Sequence, residues 1–144
     1  MRAVAFWDAS ALIPLCVRQG ITTNAIALYK THEVVVWWTT PVEIASALAR
    51  LVRMRQITSS ECAKARKLAT VLADSWSVIQ PSGALRTKAV QLVDRYDLRA
   101  ADSLQLAAAL EWCEDFPHGR VFLTADEKLR EAATLAGFTA TQMW

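Results

Sequence analysis

Short apolar, β-branched or aromatic runs alternate along the chain with longer segments whose apolar residues recur at helical spacing, and this alternation sets the expected architecture. Val4-Ala5-Phe6-Trp7 opens the series as a strand over residues 2–7, apolar throughout, as expected of a strand buried on both faces. A helix is expected from about Ser10 to Gly20, bent or shortened by Pro14, then a second from Thr22 or Thr23, either of which can cap it, through Thr31. Val34-Val35-Val36-Trp37 reads as the second strand. Thr40-Pro41-Val42-Glu43 opens a long helix in which Ile44, Ala47, Leu48, Leu51 and Val52 keep helical spacing. Thr58-Ser59-Ser60-Glu61 has the form of a capping box and starts a helix to about Asp74. A third strand over Trp76–Gln80, helices over Ala84–Tyr96 and Leu98–Trp112, a fourth strand over Gly119–Thr124 and a helix from Asp126 to Ala136 follow. Gly137 ends that helix, and Phe138-Thr139-Ala140 is expected to add a short edge strand. Strands separated by single or paired helices predict an α/β fold: a three-layer α/β/α domain with right-handed crossovers and a mainly parallel central sheet of four to five strands.

Composition narrows this without changing it. A chain of 144 residues is the size of one domain, so residues 1–144 are expected to form one unit. Hydrophobic residues at 53% and charged residues at 21% can fill a core, which excludes a disordered chain. No apolar run reaches the length of a membrane span, and Asp8 halts the first apolar stretch before a signal-peptide core develops, so a cytoplasmic protein without membrane association is expected. Cys16, Cys62 and Cys113 are too few and too far apart for a disulfide framework or a CxxC metal site. The net charge of +2 permits a nucleic-acid partner without requiring one. The glycines never cluster, which argues against a phosphate-binding loop.

The informative polar residues are four isolated acids, Asp8, Glu43, Asp102 and Asp126, each placed where an apolar run gives way to the start of a helix. In an open parallel sheet all strands direct their carboxyl ends to one edge, where ligands bind, so acids at strand ends and helix starts can converge there. Carboxylates held together repel unless a cation neutralises them, and hard oxygen ligands favour Mg²⁺ or Mn²⁺. Each acid alone has a plainer explanation. Thr40-Pro41-Val42-Glu43 is a possible capping box, Asp8 a possible N-cap, and Thr124-Ala125-Asp126-Glu127 a second box with Asp126 favouring the helix dipole. Asp102 is harder to dismiss, because an unpaired carboxylate in an otherwise apolar helix is costly to bury.

Four segments resemble the motifs of PIN domains, specifically the VapC-type ribonuclease toxins of prokaryotic toxin–antitoxin pairs. They are Phe6-Trp7-Asp8-Ala9-Ser10-Ala11-Leu12, Thr40-Pro41-Val42-Glu43-Ile44-Ala45-Ser46-Ala47-Leu48, Leu98-Arg99-Ala100-Ala101-Asp102-Ser103-Leu104-Gln105-Leu106-Ala107 and Leu123-Thr124-Ala125-Asp126. The resemblance spans nearly the whole length and rests on the order and spacing of the four. It implies a metal-dependent endoribonuclease in which Asp8, Glu43, Asp102 and Asp126 form the acidic quartet that is both catalytic and metal-binding. Asp8 and Asp102 are implied as the principal ligands, and Ser10 and Thr124 as supporting hydroxyls. It further implies Mg²⁺ or Mn²⁺ as cofactor, RNA as substrate, products with 5′-phosphate and 3′-hydroxyl ends, a VapB-like antitoxin as partner, and a homodimer. Gln105 stands where such relatives often carry His, a departure outside the quartet.

The remaining candidates are weaker. Arg50, Arg53, Arg55, Lys64, Arg66 and Lys67 can form an RNA-facing patch, but solvated basic faces are ordinary on long helices and that plainer reading is preferred. Of the six tryptophans, core positions are expected, with Trp38 and Trp144 the candidates for stacking on a base or filling an interface. The competing functions are a PIN-like binding module with negligible nuclease activity, a housekeeping RNA-processing nuclease, and a phosphoacceptor receiver domain. The last would require clustered acids after the first strand and a lysine at the end of the last, where Asp126 stands instead.

Overall fold

In a computed structural model, which describes residues 2–144 and leaves Met1, the first residue of the expected domain, outside them, four strands form one parallel sheet. They are β1 (Ala3–Trp7), β2 (His32–Trp37), β3 (Ser77–Ile79) and β4 (Val121–Leu123), in the order β3-β2-β1-β4. The helices are α1 (Ala9–Cys16), α2 (Thr22–Thr31), α3 (Thr40–Arg53), α4 (Ser59–Ala73), α5 (Gly83–Tyr96), α6 (Ala100–Trp112) and α7 (Glu127–Ala136). Successive side chains of a strand point to opposite faces, and here both faces are buried. Ala5, Trp7, Val34 and Val36 join Leu12, Ala25, Leu48 and Ala65 of α1–α4 in one core. Phe6, Val35 and Trp37 join Leu92, Leu106 and Ala132 of α5–α7 in the other. This is the three-layer α/β/α arrangement, and it explains why the strand sequences are unbroken apolar runs. Phe6, stacked on Phe122 with ring centroids 5.4 Å apart, contributes about 1.5–3 kcal/mol through burial alone.

The strand order positions the site. From β1 the chain steps to β2 and then β3 in one direction, and the return to β4 crosses to the far side of β1. A parallel sheet whose winding reverses in this way leaves a crevice beyond the carboxyl ends of the two strands at the reversal, here β1 and β4. Trp7 pairs with Leu123 at the ends of these strands, and the Asp8 N–H donates to the Leu123 carbonyl at 2.9 Å. The residues immediately after both strands are therefore tied together by the ladder itself.

Several expectations are corrected. α1 stops at Cys16 and does not reach Gly20, because Pro14 has no N–H for the Ser10 carbonyl and the Pro14 carbonyl receives the Thr22 hydroxyl at 2.8 Å. Thr22 thus serves the end of α1, and the N-cap of α2 is Ile21 without a side-chain cap. The third and fourth strands are shorter than expected, and the proposed edge strand is reduced to a parallel bridge between Thr139 and Val121. Gly137 does end α7, with φ 115°, and a Cβ there would meet Pro117 Cγ at 2.9 Å. Trp38 and Trp144 lie outside the core, 54% and 48% exposed. Among the described residues no helix is long and apolar enough to cross a membrane, and the three cysteines are free thiols.

Candidate active site at the carboxyl edge of the sheet

Asp8 is the buried acid of the site, 5% exposed, in the first position after β1. It stands at the N-cap of α1 without a full side-chain capping bond, although the Ser10 backbone N–H lowers the proton affinity of its carboxyl, so capping alone does not account for it. Two hydroxyls hold it instead: Ser10 Oγ and Thr124 Oγ1 both donate to Asp8 Oδ2, the second at 2.8 Å. The hydroxyl oxygens in turn accept backbone N–H groups, Ser10 from Ala125 at 2.9 Å and Thr124 from Asp126 at 3.0 Å. Each hydroxyl has one proton, and Asp8 receives both, so the 3.1 Å approach of Ser10 to Thr124 is a contact and not a further bond. This lattice fastens the end of β1 to the loop after β4, with both hydroxyls on Asp8 Oδ2.

Glu43 sits in the first turn of α3, half-buried. The capping box with Thr40, the plainer explanation of this acid, is absent. The carboxylate turns inward, and Oε1 accepts from the Thr39 hydroxyl at 2.8 Å and from Gln105 Nε2 at 2.9 Å. Gln105 is fully buried, its Nε2 also reaches Thr40 Oγ1 at 3.3 Å, and its Oε1 has no partner. Turning the amide over would set oxygen against carboxylate oxygen, so the orphaned carbonyl, a cost of about 1–3 kcal/mol, goes with holding Glu43 from the interior. Gln105 is the functional candidate that sequence reasoning passed over. Its signal was present in the spacing, since it stands three residues after Asp102 on the same side of α6.

Asp102 occupies the first turn of α6, half-buried. Asp126 is exposed and caps α7, Oδ1 accepting the Leu129 N–H at 2.9 Å. The capping explanation therefore holds for Asp126, although the box with Thr124 and Glu127 does not form: Thr124 faces Asp8, and Glu127 pairs with Arg130 at 2.8 Å.

The electrostatics tie the four together. Burial pushes the Asp8 carboxyl above its ordinary range, the Ser10 and Thr124 hydroxyls pull it partly back, and Asp126 adds repulsion. Glu43 is likewise raised by burial, against the Thr39 hydroxyl, with repulsion from Asp8 and Asp102. Asp102 is pushed up to about 6 by burial and then by Asp126 and Asp8, with Arg99 and Lys128 only partly offsetting them. No Lys or Arg among the described residues forms an ion pair with any of the four.

The set fits a hard divalent cation: its donors are carboxylate oxygens, it is short of positive charge, and Asp8 is held in place by two hydroxyls. Among the described residues, however, no three such side chains are already closed into a coordination group. What the fold supplies is a set of mutually repelling carboxylates at the carboxyl edge of the sheet. A groove of about 720 Å³ runs along α3 beside the site, lined by Ser10, Glu43 and Ala125 but not by Asp8, Asp102 or Asp126.

The PIN domain family model matches residues 5–135, and the chain belongs to that family, whose members are in general nuclease-type hydrolases that use divalent metal ions. The fold is shared with solved structures of low sequence identity. A toxin–antitoxin complex from Klebsiella pneumoniae is similar at TM-score 0.67 and 15% identity, covering 97% of this chain and 98% of that chain. FitAcB from Neisseria gonorrhoeae is similar at TM-score 0.68 and 12% identity, covering 98% and 99%. VapBC2 from Rickettsia felis, bound to a DNA fragment from their promoter, is similar at TM-score 0.64 and 10% identity, covering 96% and 98%. No curated protein matches the chain in sequence.

Proposed function

We propose that the protein is a metal-dependent endoribonuclease, the toxin of a VapBC-type pair, with Asp8, Glu43, Asp102 and Asp126 as its catalytic and metal-binding acids. The observation that carries this reading is Asp8: a buried carboxylate at the reversal of the sheet, pinned by two hydroxyls, repelled by neighbouring acids and offered no protein cation. Mg²⁺ or Mn²⁺, when bound, would neutralise the phosphate and activate the attacking water. The residues do the rest. Ser10 and Thr124 orient the Asp8 carboxylate, which would hold the ion. Asp102 and Asp126 would hold the ion with it, Asp126 also keeping the start of α7 through Oδ1. Thr39 and Gln105 restrain Glu43 at Oε1, which leaves Oε2 to position the water and take up its proton.

The partner follows from likeness alone. Solved structures with this fold include toxin–antitoxin complexes, so a VapB-like antitoxin is proposed, with a homodimeric, cytoplasmic toxin. The decisive experiment incubates the purified protein with single-stranded RNA in Mg²⁺ or Mn²⁺, in EDTA, and as Asp8→Asn. Cleavage that yields 5′-phosphate ends, stops in EDTA and is lost in the variant is expected. Undiminished cleavage by Asp8→Asn, with contaminating nuclease excluded, overturns the assignment; no cleavage by the wild type favours a binding module.

A further inference from the structure

Six basic residues lie on or between α3 and α4, and their surroundings divide them. Arg50 and Arg53 line the groove that opens at Ser10 and Glu43. Arg66 turns to the Ala45 carbonyl and the Cys62 sulfur, whereas Arg55, Lys64 and Lys67 are exposed and take no part in that groove. Arg50 stands two helical turns, about 10 Å, beyond Glu43 and on nearly the same face of α3, and Arg53 about 15 Å beyond. Neither is in an ion pair among the described residues. Their place in the last turn suits the helix dipole, but that would be equally served by arginines facing open solvent. The groove wall beside them is apolar and open: Val42 and Met54 line it at 69% and 51% exposure. At about 720 Å³ the groove falls in the range that takes drug-sized ligands, and a nucleotide is of that size.

An occupant has to meet three demands at once. It must continue from a centre built for a phosphate, offer negative charge at intervals to unpaired guanidinium groups, and lay apolar surface on Val42 and Met54. A single strand of nucleic acid does all three, because its phosphates recur regularly and its base faces lie between them. An acidic peptide satisfies the arginines but has no group that must begin at the acidic centre.

We propose that this groove carries the RNA strand on one side of the scissile phosphate, Arg50 and Arg53 pairing with its successive phosphates while Val42 and Met54 lie against its bases. The inference rests on the ribonuclease reading and adds the direction in which the strand leaves the site.

The test compares wild type, Arg50→Gln/Arg53→Gln and Lys64→Gln/Lys67→Gln, each confirmed as folded by circular dichroism. Cleavage kinetics with Mn²⁺ are measured on single-stranded oligoribonucleotides of increasing length. In parallel, fluorescence anisotropy measures their binding in the Asp8→Asn background over a range of salt concentrations. The arginine pair is expected to raise KM and Kd about tenfold on the longest strand, by less as the strand shortens, and to lower the log–log salt slope by about 1.4, two single-strand phosphate contacts. The lysine pair should stay within about twofold of wild type. Equal losses in both variants mean a general charge effect and overturn the proposal. So does an arginine variant with unchanged KM, Kd and salt slope, including one that loses only its hold on an acidic protein partner. If the wild type cleaves nothing, the ribonuclease reading fails by itself, and anisotropy still reports whether the arginines hold a strand.

Discussion

At the start of α4, Glu61 lies in solvent and accepts the Thr58 backbone N–H at 3.0 Å while Thr58 Oγ1 accepts the Glu61 N–H at 3.1 Å, a closed capping box. At the start of α3, a threonine and a glutamate at the same spacing, Thr40 and Glu43, form no such box, and Glu43 is held by Thr39 and the buried amide of Gln105. The proton affinities part accordingly. The carboxyl of Glu61 is held below its ordinary range by the Thr58 backbone and hydroxyl bonds, and burial moves that of Glu43 above it. The pattern at both helix starts is local, and the choice between its two uses is made by what lies opposite: solvent at α4, the interior of α6 at α3. Glu61 is satisfied by its own helix, while Glu43 is turned from its helix and feels the charge of Asp8 and Asp102.

Exchanging charge for amide at the two positions should separate them most strongly. Glu43→Gln keeps the side-chain size but removes the proton acceptor, and cleavage of RNA should fall at least about a hundredfold. Glu61→Gln should cleave as the wild type does. Equal losses would show that the two glutamates are not distinguished by their settings. Next in size is Gln105→Leu, which removes the donor to Glu43 Oε1 together with the orphaned Oε1 of the amide. A hydrogen bond to a charged group contributes about 1.5–3 kcal/mol, so kcat should drop about tenfold or more, while thermal unfolding of the metal-free protein moves by less than about 1 kcal/mol. Unchanged kcat in a folded Gln105→Leu variant would remove Gln105 from the site.

Much of this was legible in the sequence. The strands stand out as apolar runs because both faces of the sheet are covered, and Asp8 and Thr124 could be placed because each ends such a run. The family motifs put the four acids in order, and Ser10 and Thr124 do meet at Asp8. The role of Glu43 was not legible locally, since its contact with Gln105 joins residues 62 apart. Asp126 is a helix cap as well as a member of the acidic set, two uses that a sequence presents as alternatives. The end of α1 was misplaced because Thr22, eight residues beyond Pro14, supplies the bond that closes it.

The contrast also has a sign in pH. Asp102, with its carboxyl at about 6 in the fold against an ordinary 3.8, binds its proton more tightly folded than unfolded. Its favourable contribution is complete below the ordinary value and is lost as pH rises through about 6. Glu61 works oppositely: its contribution is present above its ordinary value and lost as pH falls through the lowered one. In metal-free buffer at pH 7.5, Asp102→Asn should therefore be as stable as the wild type or more so, and its loss of stability between pH 4 and 6 should be shallower. Mg²⁺ or Mn²⁺ should raise the wild-type melting temperature more than the variant's, through preferential binding to the folded state. A metal-free variant that melts clearly lower, with an equal response to metal, would place Asp102 in a structural role.

The smallest expected effect probes the other side of the contrast. Thr58→Ala removes the hydroxyl that accepts the Glu61 N–H, leaving one donor at the start of α4 to water, since that end of the helix is exposed. Loss of a threonine N-cap costs about 1 kcal/mol, or a melting temperature lower by roughly 3 °C in a protein of this size. Cleavage should be untouched, because Thr58 and Glu61 take no part in the groove that runs along α3 beside the acidic site. Thr39→Ala is the matched change at α3: the Thr39 side chain makes no capping bond, so little stability should go, whereas Glu43 loses one of its two restraints and kcat should fall. Measured side by side, unfolding and cleavage should each single out one of these threonine variants. A Thr39→Ala protein that melts as low as Thr58→Ala and cleaves RNA at the wild-type rate would return the start of α3 to an ordinary capped helix.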